Sequence, residues 1–161
     1  MKLTLLAAFS LALVISALTT GCTGHHPNEM VHYEPGLGEI MSLTSMRHAK
    51  LWFAGQGQNW ALAEYELEEL QEGFEDIAKF HPTHKAIKQP IPQLIAKTMD
   101  YPLAELNKAI KAKNVALFTQ HFDAVTAGCN ACHQLSEFGF NIVTRPAFNP
   151  FANQDFTSVT K

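Results

Sequence analysis

Basic excess is missing from this sequence. Twelve Lys and Arg stand against 15 Asp and Glu, the net charge is −3, and no Lys/Arg-rich run occurs. No nucleic-acid partner is expected from such a balance. Cysteine is scarce: Cys22, Cys129 and Cys132 are too few for a disulfide scaffold. Alternation at period two is lacking, so no strand is expected. No apolar run reaches the roughly 20 residues of a membrane-spanning helix. Charged residues make up 17% of the chain and apolar residues 47%, which excludes a disordered or collagen-like protein. The 161 residues fit one domain with its own core.

What is present begins with an address. Met1 and Lys2 precede an apolar run from Leu3 to Leu18, broken only by Thr4, Ser10 and Ser16. One basic residue, a short apolar stretch and then small residues read as a secretory signal over residues 1–21. Thr19-Thr20-Gly21-Cys22 closes it and resembles a bacterial lipobox, which implies an acylated Cys22 at the mature N-terminus. Thr19 stands where that pattern usually has Leu, so simple cleavage and a soluble periplasmic form stay open. Residues 22–37 contain Gly24, Pro27 and Asn28, show no periodicity and read as a tether. The domain proper is expected over 38–161.

Four amphipathic helices are expected there. The second is the clearest: Asn59 suits an N-cap, and Trp60, Ala63, Leu67, Leu70, Phe74 and Ile77 recur at steps of three and four. Between them Glu64, Glu66, Glu68, Glu69, Glu72, Glu75 and Asp76 read as an acidic solvated face, with Pro82 stopping the helix after Phe80. The last helix comes after Asn114 and carries Phe118, Phe122, Val125, Cys129 and Cys132 on one side. The first runs from about Gly38 to Ala54, and the third lies between Pro92 and Lys113 with Pro102 inside it or starting its main part. The fold class is therefore all-α, an antiparallel four-helix bundle with an irregular C-terminal tail after Phe140.

One motif carries chemistry. Cys129-Asn130-Ala131-Cys132-His133 is a haem c attachment sequence: two thiols to reach two vinyl groups of one porphyrin, and an imidazole beside them for the iron. At about 100° per residue, Cys129 and Cys132 lie about 60° apart and His133 about 40° from Cys129. All three leave the apolar side of the last helix. The competitors are weaker. A thioredoxin-like pair wants a βαβ setting, structural zinc wants four ligands, and a Cys129–Cys132 disulfide would not need His133.

None of the residues after His133 is Met or His, so any such sixth ligand must come from upstream. The motif on the fourth helix of a helical bundle resembles the class II cytochromes c, which have the cytochrome c-prime fold. The segments Arg47–Gly55 and Asn59-Trp60, the stretch Cys129–Gln134 and the tail Pro150–Phe156 are together similar to a proteobacterial group of exported monohaem proteins described as cytochrome c family proteins. This resemblance implies one covalent haem c, a periplasmic location and a first helix facing the haem across the bundle. Class II relatives commonly pair as homodimers through their first two helices.

That first helix offers Met41, Met46 and His48. Met46 and His48 lie about 200° apart in rotation, so both cannot reach one iron. Periodicity does not choose between them. The resemblance favours His48, because Arg47–Trp52 is like that group's marked segment; Met46 and an open sixth position remain as alternatives. His25, His26 and His32 fall in the tether, and His81, His84 and His121 read as loop or surface residues. Arg47 and Arg145, the only arginines, are candidate partners for haem propionates, or else solvated side chains.

Three functions are implied, in order. Closed coordination implies one-electron transfer with a periplasmic redox partner protein, an electron carrier rather than an enzyme. The acidic second helix suits a basic partner, and equally reads as a plain solvated face. An open iron implies binding or sensing of nitric oxide or carbon monoxide, as in class II relatives. Peroxide reduction would need an open iron and a distal acid–base group, a part His48 could take.

Overall fold

The computed structural model describes residues 33–85 and 87–157. The signal segment, Cys22, His25, His26 and His32 lie outside the described residues. Four helices succeed one another: α1 Leu37–Gln56, α2 Trp60–Phe80, α3 Ile91–Lys111 and α4 Val115–Leu135. No strand is formed among the described residues; a single isolated bridge joins Gln58 and Thr157. The fold is an all-α four-helix bundle in which α1 packs on α2, α3 on α4, and α2–α3 and α1–α4 close the ring. None of the described helices is long and apolar enough to cross a membrane.

The helix starts have local chemical causes. Asn59 accepts the Leu62 N–H at 3.2 Å and Asn114 accepts the Leu117 N–H at 3.0 Å, each satisfying a donor that the first turn leaves free. At α1, the Glu39 carboxylate accepts the Gly36 N–H at 2.9 Å. Pro92 sits in the first turn of α3, where its missing N–H costs nothing.

Pro102 lies inside α3. Lacking an N–H, it leaves the Thr98 carbonyl without its helical donor. That carbonyl faces α4 at Gly128, where a Cβ would stand 2.5 Å from Thr98 O and 2.9 Å from Met99 Sδ. Glycine is thus required there by close approach, one residue before Cys129.

The core is one cluster. Leu51, Trp52 and Ala54 of α1 meet Leu67, Leu70 and Phe74 of α2, Leu103, Leu106 and Ile110 of α3, and Phe118, Phe122 and Val125 of α4. Trp52 contacts both Phe118 and Phe122, with ring centroids 6.3 and 4.9 Å away. Gly55 lies against the Phe118 ring, which leaves no room for a methyl group.

One sequence expectation is corrected here. Glu66, expected on the solvated face of α2, is only 1% exposed. Arg47 of α1 reaches across to it at 3.2 Å and also pairs with Glu69. Burial pushes the Glu66 carboxyl above its ordinary range, and the guanidinium partly offsets that. The pair therefore locks α1 onto α2 at a point where an unpaired carboxylate would be costly.

Residues 136–157 form no helix. Arg145 pairs with Asp123 of α4 and lies over the Trp52 ring, 4.6 Å from its centroid. Phe156 is buried against Phe53 and Phe151.

Candidate functional site

A cavity of about 810 Å³ opens between the helices, within the ~300–1,000 Å³ range of cofactor sites. Each helix contributes to its wall: Met41 and His48 from α1, Leu70, Phe74 and Ile77 from α2, Leu94 and Met99 from α3, and Cys129, Cys132 and His133 from α4. Leu37 also lines it, as do His84, Lys85 and Ile87 in the α2–α3 connection and Phe138, Asn141 and Val143 beyond α4. The lining is mostly apolar, with its sulfur groups supplied by α1, α3 and α4 and its imidazoles by α1, α4 and the α2–α3 connection.

Cys129 and Cys132 are free thiols. Burial pushes Cys129 up to about 12, and the neighbouring Cys132 adds to the effect. Cys132 is also raised by burial, with a hydrogen bond to Thr98 working against it. Both thiols are therefore protonated at neutral pH, which does not suit a nucleophilic redox pair. No three His, Cys, Asp or Glu side chains converge on a common point among the described residues.

His133 is oriented by the segment beyond the end of α4. Its Nδ1 lies 2.6 Å from the Asn141 carbonyl. A carbonyl only accepts, so Nδ1 carries a proton, and in the neutral ring Nε2 is then the nitrogen with the lone pair. This is the arrangement a metal-ligating histidine uses: one nitrogen fixed by a backbone acceptor, the other available.

His48 is 4% exposed between α1 and α4. Its Nε2 lies 2.8 Å from Thr126 Oγ1. The Thr126 hydroxyl donates to the Phe122 carbonyl at 3.0 Å, so it accepts from Nε2–H and leaves Nδ1 as the acceptor nitrogen. The ring also lies 4.5 Å from that of Phe122. Burial lowers His48 to about 4, so it is neutral at pH 7.

The structure thus brings Cys129, Cys132, His133, His48 and Met41 to one cavity. Met46 does not line it. Neither does Arg47, whose guanidinium is held by Glu66 and Glu69 on the α2 side. Arg145 is likewise engaged elsewhere, by Asp123. The cationic side chain that does line the cavity is Lys85, with the His84 imidazole beside it in sequence. Sequence reading gave no role to His84, Thr126, Asn130 or Asn141. Thr126 stands four residues after Phe122, so the helical count could have found it. Asn141 lies in an aperiodic stretch that gives no such signal.

Comparison with family models, curated proteins and solved structures finds no match to this chain.

Proposed function

We propose that the chain is an exported monohaem c-type cytochrome that transfers single electrons. The observation that carries this reading is that Cys129, Cys132 and His133 all line one largely apolar cavity, with His133 Nδ1 tied to a backbone carbonyl. The donor set fits haem c: Cys129 and Cys132 would hold it by two thioether bonds, and His133 would give the iron an axial nitrogen. When bound, the haem supplies a one-electron Fe(III)/Fe(II) couple, filled and emptied by a redox partner protein. Leu70, Phe74, Ile77, Leu94 and Met99 would exclude water around it, and that burial is one of the protein's levers on the potential. His48 lines the cavity from α1, and we take it as the candidate for the sixth ligand. The sequence signal over 1–21 and Cys22 support a periplasmic, lipid-anchored form.

The test is direct. The full-length chain is produced in cells able to attach haem c, then denatured, run on a gel and stained for haem. Covalent stain is expected, and its loss in Cys129→Ser and Cys132→Ser variants. Absence of covalent haem in the wild-type chain would refute the reading.

A second reading has its own observation. His48 Nε2 is engaged by Thr126, so His48 ligates only if its Nδ1 reaches the iron or that bond is given up. If it does not, the sixth position stays open and the site binds a small gas ligand. A low-spin spectrum unchanged by carbon monoxide supports electron transfer; a ferrous form that takes up carbon monoxide supports the second reading.

A further inference from the structure

We propose that Asn130, between the two cysteines, is a positioning residue for His133, acting through the strap of residues 137–143. The inference rests on the reading of His133 as the iron ligand.

The strap begins where α4 ends. Glu137 has φ of 66°, in the left-handed region, which turns the chain back on the last turn of the helix. Phe138 N–H donates to the His133 carbonyl at 2.7 Å, and Asn141 N–H to the Phe138 carbonyl at 2.9 Å. The Asn130 side chain then meets Val143 with both ends of its amide. Its Nδ2 donates to Val143 O at 2.9 Å, and its Oδ1 accepts Val143 N–H at 2.8 Å. Only a carboxamide offers a donor and an acceptor side by side to one backbone residue. The Asn141 carbonyl that receives His133 Nδ1–H therefore lies between two anchors, Phe138 on one side and Val143 on the other.

Burial does not hold the middle of this strap in place. Phe140 is 81% exposed and Ile142 70% exposed, so neither side chain pins it. Phe138 and Val143 line the cavity and Arg145 beyond them is held by Asp123, but the two hydrogen bonds from Asn130 are those that fix the backbone of Val143 itself. The acceptor for His133 is thus only as well placed as the Asn130 clamp. A well-placed acceptor on Nδ1 fixes the ring orientation and raises the basicity of Nε2, which favours the oxidised iron.

The experiment uses the full-length holoprotein, comparing wild type with Asn130→Ala and with Leu103→Ala, a core variant away from the cavity. Two quantities are read: exchange of the His133 Nδ1 proton with solvent by NMR, and the midpoint potential. In Asn130→Ala the proton is expected to exchange about tenfold faster, the factor carried by one hydrogen bond of ordinary strength. The potential is expected to rise, while Leu103→Ala loses stability and moves neither reading. The proposal is overturned if Asn130→Ala is destabilised like Leu103→Ala yet keeps the wild-type exchange rate and potential. Should the wild-type chain carry no covalent haem, the function reading falls on that stain alone. The Nδ1 exchange comparison in the same material still decides whether Asn130 positions the ring.

Discussion

The buried His48 makes acid stability a sharp prediction. In the unfolded chain its imidazole takes a proton below about 6.5; in the folded chain only below about 4, because burial penalises the charged form. Between those values the unfolded state holds more protons, so stability rises with pH and is lost as pH falls through that window. The shift of about 2.5 units, at about 1.4 kcal/mol each, sets the full loss at about 3 kcal/mol, of which about 2 kcal/mol is gone by about pH 5. The perturbation is His48→Phe, which keeps a ring beside Phe122 and removes the titration. At pH 7 the variant gives up the bond to Thr126, about 1 kcal/mol, while the Thr126 hydroxyl keeps its own acceptor at Phe122. At pH 5 the wild type has lost about 2 kcal/mol that the variant retains, so the order of stability reverses. His84 shifts in the same direction but is present in both proteins, and the comparison removes it. Anything that binds the neutral imidazole steepens the wild-type slope with the same sign. Urea unfolding at several pH values between 4 and 7.5 measures both curves. Parallel curves, with no crossing, would show that His48 is not buried neutral in the fold.

Other substitutions test the packing that shapes the cavity. Gly128→Ala would drive a methyl group into the Thr98 carbonyl, a backbone atom that cannot swing away, and should cost about 1–3 kcal/mol in urea unfolding. An unchanged midpoint would mean that α3 and α4 are not in contact there. Arg47→Ala strands the Glu66 carboxylate and should cost about 3 kcal/mol at pH 7. Adding Glu66→Gln to it should recover part of that loss, and a double-mutant cycle showing no coupling would dissolve the pair. Because burial already raises the Glu66 carboxyl, Arg47→Ala should also regain stability relative to wild type as pH falls toward the range where that group takes up a proton.

The helices were legible because their signals are local. Steps of three and four, with Asn59 and Asn114 ahead of them, mark α2 and α4, and both asparagines cap as their positions suggest. The end of α1 was harder. Gly55 stands just past Ala54, where the expected helix stops, yet it lies inside the helix, and the Phe118 ring occupies the space a side chain would fill. A glycine that ends a helix and one that admits a neighbour look alike in a sequence. Glu66 was misread for a related reason. It sits in a run of acidic residues whose members differ only in which one meets Arg47, and a contact between α1 and α2 is not written in either helix alone.

The site divides along the same line. Cys129, Cys132 and His133 are neighbours in sequence, so the geometry of one helix gives them a common face. The surroundings that give them direction come from elsewhere: Asn141 from an aperiodic strap, Met99 from α3, His48 from α1. Periodicity left His48 and Met46 level because each has apolar companions on its own face. The register between α1 and α4 separates them, setting His48 against Thr126 and Phe122 and leaving Met46 off the cavity. That register rests on large rings, Trp52 against Phe118 and Phe122, packed one turn along from His48. A change that slid α1 by one turn would exchange the group offered to the cavity without touching the attachment motif. Which side chain α1 offers to the cavity is therefore a property of aromatic packing between two helices.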